Sequence, residues 1–249
     1  MTATIIHAKA ANILLDEFDF SGVTNSVELA ISNNLADVTA FNDTDATFVE
    51  GKPSFKCGVN GLWEPSAGGY DAEMFTDLTA TSRALGIWPD TFVTGKRGYE
   101  LSTIVAGYPI AVPVGNFIAA NVNWQGDLPA VRAYMLHYAA ALGSTATGTA
   151  YNVGAPTATQ TIYGVLRVMS VGGAGSNTLD VVIQSDTAEA FASPTARLTF
   201  TQVTTSVTFS IQSAAGALAG ETWWRAVLTY AGVGTRTYKV AVSFGIRPT

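Results

Sequence analysis

Charged residues are scarce in this sequence, and residues that bind metals or form disulfides are almost absent. Among 249 residues there are 13 Lys or Arg, 19 Asp or Glu, 2 His and 1 Cys. A single cysteine excludes an intrachain disulfide, and no H-x-x-x-H or C-x-x-C spacing of a zinc site occurs. The charged fraction is 13%, against a usual share of about 25%. So little charge favours a chain that covers itself with further copies, although a secreted β protein rich in small residues would have the same composition.

Acidic residues outnumber basic residues in this sequence. The formal net charge is −6 and the sequence pI is near 4.8. A nucleic-acid-binding protein needs a basic surface that displaces counterions from phosphate, so this balance argues against specific nucleic-acid binding. An acidic wall instead lets nucleic acid pass, because it repels phosphate. No signal segment and no run of about 18 apolar residues is present, so we expect no membrane association.

Catalytic motifs are also missing. Neither the G-x-S-x-G elbow of hydrolases nor the G-x-x-x-x-G-K-[ST] loop of nucleotide-binding proteins occurs. His7 lies in an N-terminal segment without periodicity, and His137 and Cys57 lie in alternating apolar segments, so all three are predicted to be structural. Residues 42–45 lack the glycine and the distal glutamate of an EF-hand loop and are predicted to form a solvated turn. We therefore predict no enzymatic activity, no catalytic residue, no metal and no cofactor.

Residues 23–63 contain two alternating segments on either side of a long polar one. Val27, Leu29 and Ile31 recur at every second position, as in a half-buried strand, and the alternation resumes after Pro53. Between the two, residues 33–52 are polar and acidic and are predicted to form a long loop, or arm. A solvated segment rarely keeps many apolar side chains, so the arm is predicted to dock onto a neighbouring subunit. Its apolar residues are Leu35, Val38, Phe41, Phe48 and Val49.

One helix and many short strands follow. Phe75, Leu78 and Leu85 recur near helical spacing behind Asp71, whose carboxylate can cap the first turn, so a helix is predicted over 71–85, ending at Gly86. Residues 141–150 have the composition of a linker. We predict a first β domain over 1–140 and a C-terminal β-sandwich domain over 151–249. Strands are predicted at 92–94, 99–105, 110–114, 117–124, 131–138, 160–170, 178–184, 196–200, 206–211, 222–230 and 235–244.

The order of parts in the first half resembles the tail tube (major tail) proteins of long-tailed bacteriophages. An early strand, S-G-V-T-N-S-V-E-L-A, precedes the polar arm D-V-T-A-F-N-D-T-D-A-T-F-V-E-G-K-P. A second strand, S-F-K-C-G-V-N-G-L-W-E, and then the helix follow. The resemblance covers residues 12–138. The second half resembles the outer β domains that are appended to such tubes, which gives a tail-tube-type β-sandwich or barrel domain followed by a C-terminal β-sandwich.

The resemblance implies a structural, self-assembling subunit of the virion tail. Strands of adjacent copies would join into a barrel around a channel for DNA, rings would stack into a tube, and the arm would bridge copies. Six copies with one tube domain each are preferred, and three copies with two tube domains each stay open. Implied partners are the tape measure, tail terminator and distal tail proteins, with assembly in the host cytoplasm. Candidate channel-lining acids are Glu28, on the polar face of its strand, and Asp37, Asp43, Asp45 and Asp127.

Two other functions remain open. A carbohydrate-binding or adhesive virion module would have the same β-sandwich character, and one indole of the Trp223–Trp224 pair would point outward on a strand. An enzyme on a β scaffold has no supporting set of residues in this sequence.

Overall fold

Alternating side chains make most of the chain β-strand, and the prediction of a mainly β protein is confirmed. The computed structural model describes residues 10–42, 44–78, 82–128, 130–216, 218 and 220–248. His7 and Asp43 lie outside these residues. The elements are β1 Asn12–Leu15, β2 Phe18–Asp19, β3 Thr24–Asp37, β4 Phe48–Leu62, α1 Tyr70–Asp77, β5 Arg83–Trp88, β6 Arg97–Gly107, β7 Ile110–Ala111, β8 Ala119–Gly126, β9 Val131–Leu142, β10 Ala146–Thr147, β11 Tyr151–Asn152, β12 Gln160–Gly172, β13 Thr178–Asp186, β14 Thr195–Thr199, β15 Thr208–Ala215, β16 Trp223–Ala231 and β17 Thr237–Pro248.

The contacts between residues divide the chain into two units. The hairpin unit comprises residues 22–84 and 101–130, and the sandwich unit comprises the described residues of 1–21, 85–100 and 131–249. The two units therefore interleave along the chain. The predicted domains 1–140 and 151–249 stay a prediction, but the predicted linker at 141–150 is not simply irregular. It contains the end of β9 and the short strand β10, which pairs with β16.

The hairpin unit is built on one antiparallel sheet in which β4 lies between β3 and β8. Residues 103–107 of β6 and the short β7 extend this sheet beyond β8. Phe55, Cys57 and Val59 of β4 are buried on its apolar face. The helix α1 covers this face, because the ring of Tyr70 lies 3.1 Å from where a Cβ at Gly61 would be.

The predicted arm at 33–52 is not a loop. β3 and β4 stay paired as far as Asp37 opposite Phe48, so only residues 38–47 connect them. The prediction was wrong because it relied on the alternation of apolar and polar side chains. This part of the hairpin is exposed on both faces, and two exposed faces impose no alternation. Pairing satisfies the backbone hydrogen-bonding groups of the segment whatever its side chains are.

The predicted helix at 71–85 is also wrong in its second half. The helix α1 ends at Asp77, and Leu85 and Gly86 belong to β5, whose last five residues are all buried. A strand buried on both faces shows a continuous apolar run that periodicity does not distinguish from a helix. The predicted cap is wrong too, since the N-cap is Gly69 and has no side-chain cap hydrogen bond. Asp71 instead accepts a hydrogen bond from the Tyr108 hydroxyl at 2.8 Å.

The sandwich unit confirms the predicted C-terminal β-sandwich. One sheet contains β15, β12, β17 and β9 in that order, and the other contains β10 and β11 on β16, followed by β13 and β14. Side chains of both sheets form one buried core, in which Trp224 stacks on Phe244 with ring centroids 4.1 Å apart. A smaller core, which includes Leu14, Trp88 and Met135, also contains Ala241 of β17.

A buried ion pair lies in the sandwich unit and joins residues that are far apart in sequence. The guanidinium of Arg167 donates to both carboxylate oxygens of Glu100, at 2.7 and 2.8 Å. The hydroxyl of Ser243 donates to the same carboxylate at 2.8 Å. Arg167 is 1% exposed and Glu100 5%. Nothing in the sequence pattern pointed to this pair, because neither residue is part of a motif.

Candidate assembly surface

The β3–β4 hairpin, together with its connection at 38–47, exposes large apolar side chains. Leu35 is 62% exposed, Phe48 56%, and Phe41 is as accessible as in an extended chain, at 114%. Val38 and Val49, the other two predicted arm residues, are exposed as well. Apolar side chains left in water over such a length are typical of a surface that another protein covers. The hairpin is therefore the candidate assembly surface, although the arm's docking onto another copy stays a prediction.

The connection at the end of the hairpin has a defined geometry. The carboxylate of Asp37 accepts a hydrogen bond from the backbone N–H of Thr39 at 2.9 Å, and the Thr39 hydroxyl accepts one from the N–H of Thr47 at 2.9 Å. The N–H of Val38 donates to the carbonyl of Thr47 at 2.9 Å. The hydroxyl and N–H of Thr39 lower the pKa of Asp37, so this carboxylate is negative at neutral pH.

The part of the hairpin around its connection is strongly acidic for a chain with so little charge, although β4 also contains Lys52 and Lys56. Residues 33–51 contain four carboxylates and no Lys or Arg. Glu50 accepts a hydrogen bond from the side-chain amide of Asn33 at 2.8 Å, across the two strands. Asp45 is exposed in the connection. Apolar and negatively charged groups therefore occur on the same projection.

The candidate channel acids do not form one cluster. Glu28 and Asp37 are nine residues apart on β3, which corresponds to about 30 Å along a strand. Glu28 lies on the polar face of the hairpin unit, where Lys56 and Asn123 help to line a shallow depression of about 450 Å³. Asp127 follows β8 and accepts a hydrogen bond from the hydroxyl of Ser82. Which of these groups face a channel stays a prediction.

A second exposed apolar segment lies at the other end of the same sheet. Leu62, at the end of β4 away from Phe48, pairs with Ala119, and β7 pairs with the same end of β8. The segment between β7 and β8 therefore projects opposite the hairpin connection. The exposed large apolar residues of β7 and of this segment are Ile110, Val112, Val114 and Phe117. Strands were predicted at 110–114 and 117–124, and the exposed segment between β7 and β8 was missed, although residues 109–126 contain no charged residue.

Burial shifts the pKa values of Cys57 and His137, two side chains of a type that can act in catalysis. Burial raises the pKa of the Cys57 thiol to about 12, so the thiolate needed of a nucleophile is scarce at neutral pH. Burial also lowers the pKa of His137. Within the described ranges, no three His, Cys, Asp or Glu side chains are grouped as a metal site would require. The same residues include no helix long and apolar enough to cross a membrane.

The tryptophan pair of the adhesive alternative is only partly accessible. Trp224 is completely buried and donates its indole N–H to the carbonyl of Gly154 at 3.1 Å. Trp223 is half-buried. A sugar-binding platform on this strand would therefore depend on Trp223 alone.

Comparison with known proteins returns tail proteins at low similarity. No family model matches the chain, and no curated protein matches it. A chain from the virion of a native gene transfer agent particle is 12% identical, with a TM-score of 0.42 over 51% of this chain and 98% of that chain. The Dit protein of SPP1, from the hub adsorption apparatus of phages that infect Gram-positive bacteria, is 11% identical, with a TM-score of 0.39 over 96% and 99%. A chain of the phage p2 baseplate is 7% identical, with a TM-score of 0.33 over 94% and 98%.

These neighbours are components of tails, hubs and baseplates, the class of assembly that the sequence resembles. Identities of 7–12% and TM-scores of 0.33–0.42 establish neither the family nor the function of this chain.

Proposed function

We propose that this chain is a non-enzymatic structural subunit of a phage-type tail tube, which assembles with copies of itself. The β3–β4 hairpin contacts an adjacent copy, and rings of subunits stack around a channel through which DNA passes. The observation that carries the proposal is the exposure of Leu35, Phe41 and Phe48 on a projection whose two strands are paired as far as Asp37 and Phe48. Covering such side chains stabilises an assembly by about 1.5–3 kcal/mol for each one fully buried.

The free edge of β3 supports the same proposal. Among the described residues, β3 pairs with β4 and with no other strand. Its second edge therefore presents a row of backbone N–H and C=O groups along residues 25–37. Such an edge is a template for pairing with another chain, and closing a ring of strands removes it. Tape measure, tail terminator and distal tail proteins would then contact the tube in the virion, after assembly in the host cytoplasm.

Shortening the hairpin tests this proposal. Removing residues 36–49 and joining Leu35 to Glu50 through Asn-Gly keeps their pairing and closes the strands with a favoured two-residue turn. We expect the shortened protein to keep its far-ultraviolet circular dichroism and melting temperature but to lose rods and rings in negative-stain electron microscopy. The symmetry of wild-type rings would separate six copies from three. Rods formed equally well by the shortened protein would refute the role of the hairpin.

A substitution on the other unit provides the matched control. Val233 is 80% exposed and lies in a turn of the sandwich unit. Val233→Ser removes an exposed apolar side chain as Phe41→Ser does, and it is expected to leave assembly unchanged. A loss of assembly in both variants would indicate a general effect of surface polarity on solubility rather than a contact through the hairpin.

A further inference from the structure

Two arginines and two tyrosines form a small grid on one face of the β6–β9 pair in the sandwich unit. Arg97 lies opposite Tyr134, and Tyr99 lies opposite Arg132. Residues directly opposite each other in an antiparallel pair, and residues two apart on one strand, project from the same face. The four side chains therefore project from one face of the sheet. We call Arg97, Tyr99, Arg132 and Tyr134 the basic grid.

The two arginines of the basic grid are exposed and lack a carboxylate partner among the described residues. The guanidinium of Arg97 lies 4.7 Å from the centre of the Tyr134 ring, which is a cation–π contact. Arg132 is exposed as well. Other cations of the chain are used internally: Lys96 pairs with Asp90 and Arg197 with Glu221.

A depression of about 440 Å³ adjoins the grid. Arg97, Tyr99 and Arg132 line it together with Pro89, Gly95, Gly98 and the ion pair of Lys96 and Asp90. Its size is that of a site for a few side chains. The ring of Tyr99 and the guanidinium groups of Arg97 and Arg132 suit a ligand that carries both an aromatic ring and carboxylates, because arginine binds carboxylates through two parallel hydrogen bonds. The one carboxylate at the depression, Asp90, is paired with Lys96.

We propose that the basic grid is the site on one copy that receives the acidic connection of the β3–β4 hairpin from a second copy. The inference rests on the proposed function, in which the hairpin contacts another copy. The argument is charge complementarity: residues 33–51 carry four carboxylates and no cation, and the grid presents two arginines without a carboxylate. Asp45 of the connection binds at the arginines, and Phe41, which is fully exposed, fills the depression.

A peptide fits these observations better than a nucleic acid. The whole chain has a net charge of −6, and a site with two unpaired arginines is too small to form the basic stripe on which nucleic-acid binding depends. The exposed aromatic ring and the carboxylates of the hairpin, in contrast, match both kinds of group in the grid.

Charge reversal tests the proposal in the full-length protein. Arg132→Glu and Asp45→Lys, introduced separately, are each expected to raise the concentration needed for assembly about tenfold or more, since close interfacial charge pairs couple strongly. Both changes in one chain restore opposite charges at every contact and are expected to bring that concentration back toward the wild-type value. Lys239→Glu, which changes the net charge as Arg132→Glu does, serves as control. Assembly is measured by sedimentation over a dilution series.

A binding measurement separates this inference from the proposed function. A fluorescent peptide of residues 34–51 is titrated with full-length protein kept below its assembly concentration, and anisotropy is recorded. We expect saturable binding that weakens about tenfold with Arg132→Glu and recovers when the peptide carries Asp45→Lys. Equal binding by wild-type protein and Arg132→Glu would overturn the basic grid as the receiving site, even if the shortened hairpin abolishes rods. Binding of a single-stranded oligonucleotide through Arg132, without binding of the peptide, would also overturn it.

Discussion

Breaking the buried ion pair between Arg167 and Glu100 should strongly destabilise the sandwich unit. The proposed perturbation is Arg167→Met, which keeps a side chain of similar length but removes the charge. It leaves the carboxylate of Glu100, which is 5% exposed, with the hydroxyl of Ser243 but without its guanidinium partner. A buried carboxylate that has lost its partner is costly, because its lost hydration is no longer compensated.

The expected cost follows from the burial of both groups. Removing one partner of a buried pair typically destabilises a protein by about 3–5 kcal/mol. For a chain of this size, that corresponds to a fall of about 6–20 °C in melting temperature. The exposed pair of Lys239 and Asp19, with 3.4 Å between nitrogen and oxygen, gives the comparison. Lys239→Ala should cost about 0–1 kcal/mol, as exposed pairs generally do.

A double-mutant cycle separates loss of the pair from loss of packing. Arg167→Met combined with Glu100→Met replaces the pair by apolar side chains and should recover most of the stability lost in Arg167→Met alone. Urea unfolding followed by tryptophan fluorescence is a suitable assay, because Trp88 and Trp224 are both buried in the sandwich unit. The reasoning fails if Arg167→Met costs no more than Lys239→Ala, or if the double variant is as unstable as the single one.

Three further outcomes are expected. Phe41→Ser should raise the assembly concentration by about 10–150-fold, the equivalent of about 1.5–3 kcal/mol, without changing the melting temperature; an unchanged assembly concentration would contradict a buried contact at this position. The Cys57 thiol, whose pKa burial raises to about 12, should react with Ellman's reagent at pH 8 only in denaturant, and fast labelling of the folded protein would contradict its burial. Burial lowers the pKa of His137 below its usual value of 6.5, so the unfolded chain binds the proton more readily and stability should fall as pH drops below about 6.5. His137→Gln should flatten that decline in urea midpoints, and identical pH profiles would exclude a contribution from this residue.

The strands of the sandwich unit could be predicted from the sequence because their two faces differ. Leu179, Val181 and Ile183 face the core and alternate with less buried residues, and β13 spans the stretch that this pattern indicated. Alternation of apolar and polar side chains cannot identify a strand whose two faces are equally buried or equally exposed. It therefore missed β5, which is buried on both faces, and the distal hairpin, which is exposed on both.

The sequence located the apolar residues of the candidate assembly surface. It predicted neither the backbone conformation of these residues nor the basic grid. Exposed apolar residues at 35–49 stood out against the acidic background, whichever backbone conformation they adopt. The basic grid had no such signal, because Arg97 and Arg132 are separated by a long stretch of chain and become neighbours only through the pairing of β6 with β9. Pairing between distant strands depends on the whole sheet, and no local pattern encodes it.

In the assembly proposed above, the energetics of the hairpin would favour a closed ring over a pair of copies. Fully covering Leu35, Phe41 and Phe48 would contribute at most about 5–9 kcal/mol. Joining two molecules costs an estimated 4–15 kcal/mol in lost translation and rotation. One hairpin therefore scarcely offsets the cost of forming one pair, and the free edge of β3 would persist at the end of any open chain of copies. In a closed ring, each copy contacts one neighbour through its own hairpin and is contacted by the hairpin of the other neighbour. The contact that closes the ring forms within a single assembly, so it adds stability without a further loss of translational freedom.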